Sequence, residues 1–196
     1  MGSLGCLYGF KNILISASLF FYSLVYLNPE VKVLACSNQT IPCLPGKPVT
    51  DNFKTMKFSQ GYSNLWGAQH QNVSQDQSTV TLLLDRSSGS GFKSKEPYMY
   101  GFFNAAVKLQ AGYTAGVLTS FYLSNGEVYV DNHDEVDIEF LGTIPGEPYK
   151  LQTNVYGNGT GDGSHFVGRE QQFHLWFDPT QDFHNYSILW TPHHIL

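Results

Sequence analysis

The sequence predicts an all-β fold, a two-sheet β-sandwich of the jelly-roll kind, and three observations carry that expectation. Short runs of β-prone residues recur between turn signals along most of the chain. Aromatic residues make up 15% and charged residues only 14% of the 196 residues, and there are 19 glycines, which suits many strands joined by turns. No stretch beyond an apolar N-terminal run shows a convincing helical period.

The chain is read in three parts. In residues 1–35, Lys11 supplies a positive end, residues 13–25 are almost wholly apolar, and Val33-Leu34-Ala35 offers the small residues of a signal-peptidase site. A secretory leader, with no stable membrane association after its removal, is therefore expected ahead of a retained signal anchor or a lipoprotein end at Cys36, because the run is short for a span of about 20 residues. Residues 36–60, polar and holding Pro42, Pro45 and Pro48, read as a loose N-terminal arm. Residues 61–196 read as one domain. Cys36 and Cys43 could pair in an oxidising compartment. Asn38, Asn72, Asn158 and Asn185 each open an Asn-X-Ser/Thr triplet, compatible with glycosylation on secretion.

Within the domain, expected strands cover residues 79–84, 101–109, 116–123, 135–141, 149–156, 173–177 and 186–190. The first is closed by the polar turn 85–91, and Gln110-Ala111-Gly112-Tyr113 separates the second from the third. The chain stops at Leu196, just where a new apolar run begins after Thr191-Pro192, so the sandwich is expected to be incomplete at its C-terminus. A formal charge of −5 and the lack of a basic cluster argue against a nucleic-acid partner.

The most informative segment is Glu135-Val136-Asp137-Ile138-Glu139-Phe140, where acids and apolar residues alternate. On a strand, Glu135, Asp137 and Glu139 share one face and Val136, Ile138 and Phe140 the other. Three carboxylates in a row repel one another. Glycoside cleavage gives them a use, because it needs one carboxylate as nucleophile and one carboxylic acid as proton donor. The Cα atoms of Glu135 and Glu139 are expected about 13 Å apart, and two Glu side chains leaning together can approach the ~5–5.5 Å of a retaining pair. Asp137 between them can hydrogen-bond the nucleophile and help keep one Glu protonated. A solvated acidic face and a cation site remain open on this pattern alone.

Beyond the pattern, His133-Asp134-Glu135-Val136-Asp137-Ile138-Glu139-Phe140-Leu141-Gly142 closely resembles the active-site strand of plant xyloglucan endotransglucosylase/hydrolases, in glycoside hydrolase family sixteen. So do, in order, the stretches 65–70, 89–94, 151–154, 175–180 and 182–190, so that the resemblance covers about residues 60–196.

The resemblance implies a concanavalin-like jelly roll. It also implies Glu135 as nucleophile, Glu139 as general acid/base and Asp137 as helper. Gln152, Thr153 and Asn154 match donor-glucan contacts, and Arg169 and Glu170 match two residues of a binding Asp-Arg-Glu whose Asp is Gly168 here. Residues 161–168 resemble a subgroup that includes predominantly hydrolytic members. The implied partners are xyloglucan donor and acceptor chains, with no metal or organic cofactor, on a monomer in the cell wall. A mixed-linkage or β-1,3-glucan hydrolase and a catalytically inactive glucan-binding domain are the rival readings. Trp66, Trp176 and Trp190 are expected in the core ahead of any role as sugar platforms. His133 is expected to orient the acidic strand, and the other histidines to serve surface or packing roles.

Overall fold

A computed structural model describes residues 56–130, 133–157 and 169–196 in full, and residues 12–18 and 23–28 as backbone strands. Two antiparallel sheets make up the fold, as expected. The larger contains, in spatial order, β11 (Gln171–His174), β10 (Lys150–Tyr156), β9 (Glu135–Leu141), β8 (Leu118–Ser124), β1 (Asn12–Ser18), β6 (Ser90–Ser94) and β3 (Tyr62–Trp66). The smaller runs β12 (His184–Trp190), β7 (Gly101–Lys108), β2 (Ser23–Asn28), β5 (Val80–Leu84) and β4 (Gln71–Val73).

Alternation explains how the sheets meet. In β7 every second residue is buried, so Phe103, Ala105 and Val107 face inward while Asn104 and Lys108 face out. In β12 the inward set is Tyr186, Ile188 and Trp190, and in β9 it includes Val136, Ile138 and Phe140. The rings of Phe140 and Tyr186 meet edge to face across the sandwich at 4.5 Å. Phe92, Phe103, Phe121 and Phe140 are fully buried, each contributing about 1.5–3 kcal/mol by leaving water.

Two stretches of the apolar N-terminal run, which the sequence reads as part of a leader, form β1 and β2. Both are interior strands. β1 pairs with β6 on one side and β8 on the other, and β2 lies between β5 and β7. The expected cleavage point at Ala35, the Cys36 and Cys43 pair, and Asn38 and Asn158 lie outside the described residues. Near the end of the expected arm, the chain makes a single helical turn at Phe58–Gly61. Phe58 is buried there and stacks on Tyr62 at 5.4 Å.

Some expected boundaries move. The polar turn expected at 85–91 is shorter, because Ser90 already starts β6, where Ser90, Phe92 and Ser94 are all buried. The run expected at 173–177 is strand only from Gln171 to His174. Leu175 and Trp176 leave the sheet, and Trp176 is 90% exposed. The expectation that all three tryptophans pack in the core therefore fails for Trp176. It holds for Trp190, which is 2% exposed, while Trp66 is half-buried.

Candidate active site

Strand β9 carries the acidic row and is held at both ends. At its start, the Asp134 N–H donates to Asn125 Oδ1 at 2.7 Å, and Asn125 Nδ2 donates back to Asp134 Oδ2 at 3.3 Å. At its end, Gly142 N–H donates to Val117 O at 2.8 Å, and Thr114 exchanges bonds with the Thr143 backbone at 2.8 and 2.9 Å. Gly142 is required by space, since a Cβ there would lie 1.8 Å from Thr114 O. Both ends of the row are thus tied to the segment that contains β8.

Pairing on either side of β9 turns the sequence pattern into rows that run across the sheet. Glu139 lies opposite Ser120 on β8 and Gln152 on β10, Asp137 opposite Tyr122 and Asn154, and Glu135 opposite Ser124 and Tyr156. The apolar members of β9 pair in the alternate rows, Ile138 with Phe121 and Thr153, and Phe140 with Thr119 and Leu151. The alternation expected for residues 135–140 therefore holds, with the carboxylates on the side away from the core.

The carboxylates differ in setting. Asp137 is 8% exposed. Burial first, then the charge of Glu135 and a hydrogen bond with it, then Glu139, push the Asp137 carboxyl up to about 8, against a bond from Asn154. Asp137 can thus hold a proton near neutral pH and donate it to Glu135. Burial also pushes the Glu139 carboxyl above the usual range, helped by Glu170 and Glu135 and opposed by a hydrogen bond from Gln152. That bond is 2.9 Å long, from Gln152 Nε2 to Glu139 Oε2. His133 Nε2 lies 3.7 Å from Glu135 Oε2, and its ring stacks on Tyr156 at 5.0 Å.

The other expected residues divide. Gln152 and Asn154 stand on the carboxylate face, beside Glu139 and Asp137. Thr153 pairs with Ile138, which puts it in the opposite-facing set and away from the carboxylates. Arg169 reaches the row through its backbone N–H, which donates to Asn154 Oδ1 at 2.9 Å, and its side chain is exposed. Glu170 acts on Glu139 through its charge. Asn72 and Asn185 are exposed on β4 and β12. Among the described residues, no group of three or more His, Cys, Asp and Glu could hold a metal ion. His70 contacts Asp85 at 2.9 Å, well away from the acidic row in the sheet order.

Sequence reasoning missed Gln172, Tyr156 and Asn125. Gln172 Nε2 donates to Gln152 Oε1 at 2.7 Å, from the position directly across β10–β11. The signal that could have found it is the count of residues along two antiparallel strands, which needs the register between them.

Acids alternating along one strand of a β-sandwich, the middle carboxyl pushed up to about 8 by burial and its neighbours, are the kind of groups that two-carboxylate glycoside cleavage uses. The family model for glycosyl hydrolases family 16 matches residues 58–196, and the chain belongs to that family. It is 52% identical over 179 residues to xyloglucan endotransglucosylase/hydrolase protein 31 of Arabidopsis thaliana, covering 91% of this chain and 58% of the relative. It is 54% identical over 126 residues to xyloglucan endotransglycosylase/hydrolase protein 8 of Oryza sativa subsp. japonica, covering 63% and 41%. With xyloglucan endotransglucosylase/hydrolase 2 of Glycine max it shares 45% over 139 residues, covering 71% and 46%. The chain spans about half the length of these relatives.

Proposed function

We propose that the protein carries the machinery of a retaining xyloglucan endotransglucosylase/hydrolase, secreted to the cell wall. The observation that carries the reading is the row Glu135, Asp137 and Glu139 on one face of β9, with Asp137 able to hold a proton beside Glu135. The names of the relatives supply the polysaccharide.

In this reading Glu135 attacks the anomeric carbon of a β-1,4-linked glucose while Glu139 protonates the departing glucan oxygen. Proton donation from Asp137 keeps the attacking oxygen of Glu135 aimed and disperses its charge. Glu139, now a carboxylate, then takes a proton from the 4-hydroxyl of a second xyloglucan or from water. The sugar leaves Glu135 with its original anomeric configuration, as a lengthened glucan or as a reducing end. Gln152 and Asn154 stand beside the carboxylates with amide groups suited to glucose hydroxyls.

The test is turnover of the purified protein on xyloglucan, mixed-linkage glucan and β-1,3-glucan, with a labelled xyloglucan oligosaccharide as acceptor. Labelled polymer formed from xyloglucan, or new reducing ends from it, supports the reading. Cleavage of the other two glucans alone overturns the substrate. Binding without turnover, unchanged in Glu135→Ala, overturns the catalytic reading.

A further inference from the structure

Gln172 stands at the outer end of a row of polar side chains that crosses four strands. Ser120, Glu139, Gln152 and Gln172 are successive cross-strand partners on β8, β9, β10 and β11. Two hydrogen bonds join the last three: Gln172 Nε2 to Gln152 Oε1 at 2.7 Å, and Gln152 Nε2 to Glu139 Oε2 at 2.9 Å. A side-chain amide has donors at one end and an acceptor at the other. With its nitrogen turned to Glu139, Gln152 presents its oxygen to β11, and a donor there reinforces the orientation that the Glu139 carboxylate favours.

We propose that Gln172 is a positioning residue for the acid/base: by donating to Gln152 it fixes which end of that amide faces Glu139. Gln152 then occupies Oε2 of Glu139, leaving the other carboxyl oxygen to carry the proton toward the cleft. A reversed Gln152 would present its carbonyl to the Glu139 carboxylate, disfavouring the ionised form. Gln172 therefore sets both the direction of the proton and the ease with which Glu139 gives it up. Among the described residues, the other titratable groups on or beside this part of the face include Glu135 and Asp137 along β9, His133 beside Glu135, Tyr122 on β8, Lys150 and Tyr156 on β10, and Glu170 and His174 at β11. None of them lies in the row of Glu139. The inference rests on the catalytic reading for its meaning, but its geometry does not depend on turnover.

The experiment follows the Glu139 carboxyl directly, by 13C NMR titration of glutamate-labelled protein, with its resonance assigned by its loss in Glu139→Gln. The full chain is compared with Gln172→Leu, Gln172→Glu and Gln172→Arg. Gln172 is exposed on an edge strand, so these variants keep the fold. Leu removes the donor without adding charge and should raise the Glu139 pKa by about half a unit to one unit. Glu only accepts, turns the Gln152 amide round, and should raise it further. Arg only donates and should hold it at or below the wild-type value. Charge alone predicts a different order, in which Leu matches wild type.

A Leu variant that titrates like wild type, or an Arg variant displaced as far upward as Leu, overturns the proposal. Where turnover is measured, Gln172→Leu should lower kcat and leave KM unchanged, and the basic limb of its pH profile should move with the Glu139 titration. Failure of the wild type to turn over any glucan counts against the function proposed above. The titration still decides the role of Gln172.

Discussion

The carboxyl of Asp137 and the side chain of Asn154 face each other directly across β9 and β10, and Asn154 also accepts the Arg169 backbone N–H at 2.9 Å. One asparagine thereby ties the buried acid of the row to the segment that leads into β11. It also favours the ionised form of Asp137, against burial and two glutamates. Protonation of Asp137 therefore depends on several strands at once.

The first prediction concerns pH and stability. Asp137 holds its proton to about pH 8 in the fold, against a value near 3.8 for an ordinary aspartate. Between those values the folded state binds more protons than the unfolded one, so stability is full at the acid end and declines as pH rises through 8. Asp137→Asn keeps the shape and cannot ionise. Melting curves should show the wild type losing on the order of 1–3 kcal/mol between about pH 5 and pH 9 relative to the variant. Parallel curves for the two proteins would remove the buried proton from the account.

The second separates the two glutamates by leaving group. Glu139→Gln should slow cleavage of a natural glucan by about 10²–10⁴-fold. It should spare the first step, glycosylation of Glu135, on a substrate whose activated aryl leaving group needs no proton, while the second step still lacks its base. Glu135→Gln should abolish turnover of both, since no glycosyl-enzyme can form. The rates of the first, leaving-group-releasing burst on the two substrates check this, and equal losses of that burst in Glu139→Gln would reassign the proton donor.

A third prediction follows from the close approach at Gly142. Alanine there has no room, because the atoms in its way are backbone, namely Thr114 O at 1.8 Å and Val117 O at 2.9 Å. Gly142→Ala should cost about 1–3 kcal/mol by denaturant unfolding. A variant as stable as wild type would mean that the end of β9 moves freely.

The fourth concerns the interior strands. Without β1, β6 and β8 lose their shared neighbour, and without β2, β5 and β7 lose theirs. A chain of residues 36–196 alone should expose four such strand sides and melt over a broad range. Cooperative thermal unfolding of that fragment as a monomer would show that residues 12–28 are dispensable to the sandwich.

What the sequence made legible was local. The acidic strand was legible to the residue, because a period of two over Glu135 to Phe140 has one structural reading once it is extended. Strands such as β7 and β12 were located within a residue or two for the same reason. Pairing between strands was not legible. Gln172 looked like one more polar residue before Phe173, and only the β10–β11 register shows what it faces. Thr153 sat inside a matched triplet, yet the pleat assigns it to the other face from Gln152 and Asn154. The pairing of β1 and β2 was not legible either, since a leader and a strand are both apolar.

The three tryptophans give the molecule an intrinsic optical read-out. Trp190 is sealed in the core, Trp66 is half-buried, and Trp176 is 90% exposed with its ring edge-on to Phe177 at 5.2 Å. Their emission should therefore separate by colour and by access. Iodide ions in solution quench Trp176 first and take away the red side of the spectrum. The blue light that persists comes mainly from Trp190, whose ring packs on Tyr100 at 4.8 Å and reports on the interior without any attached dye.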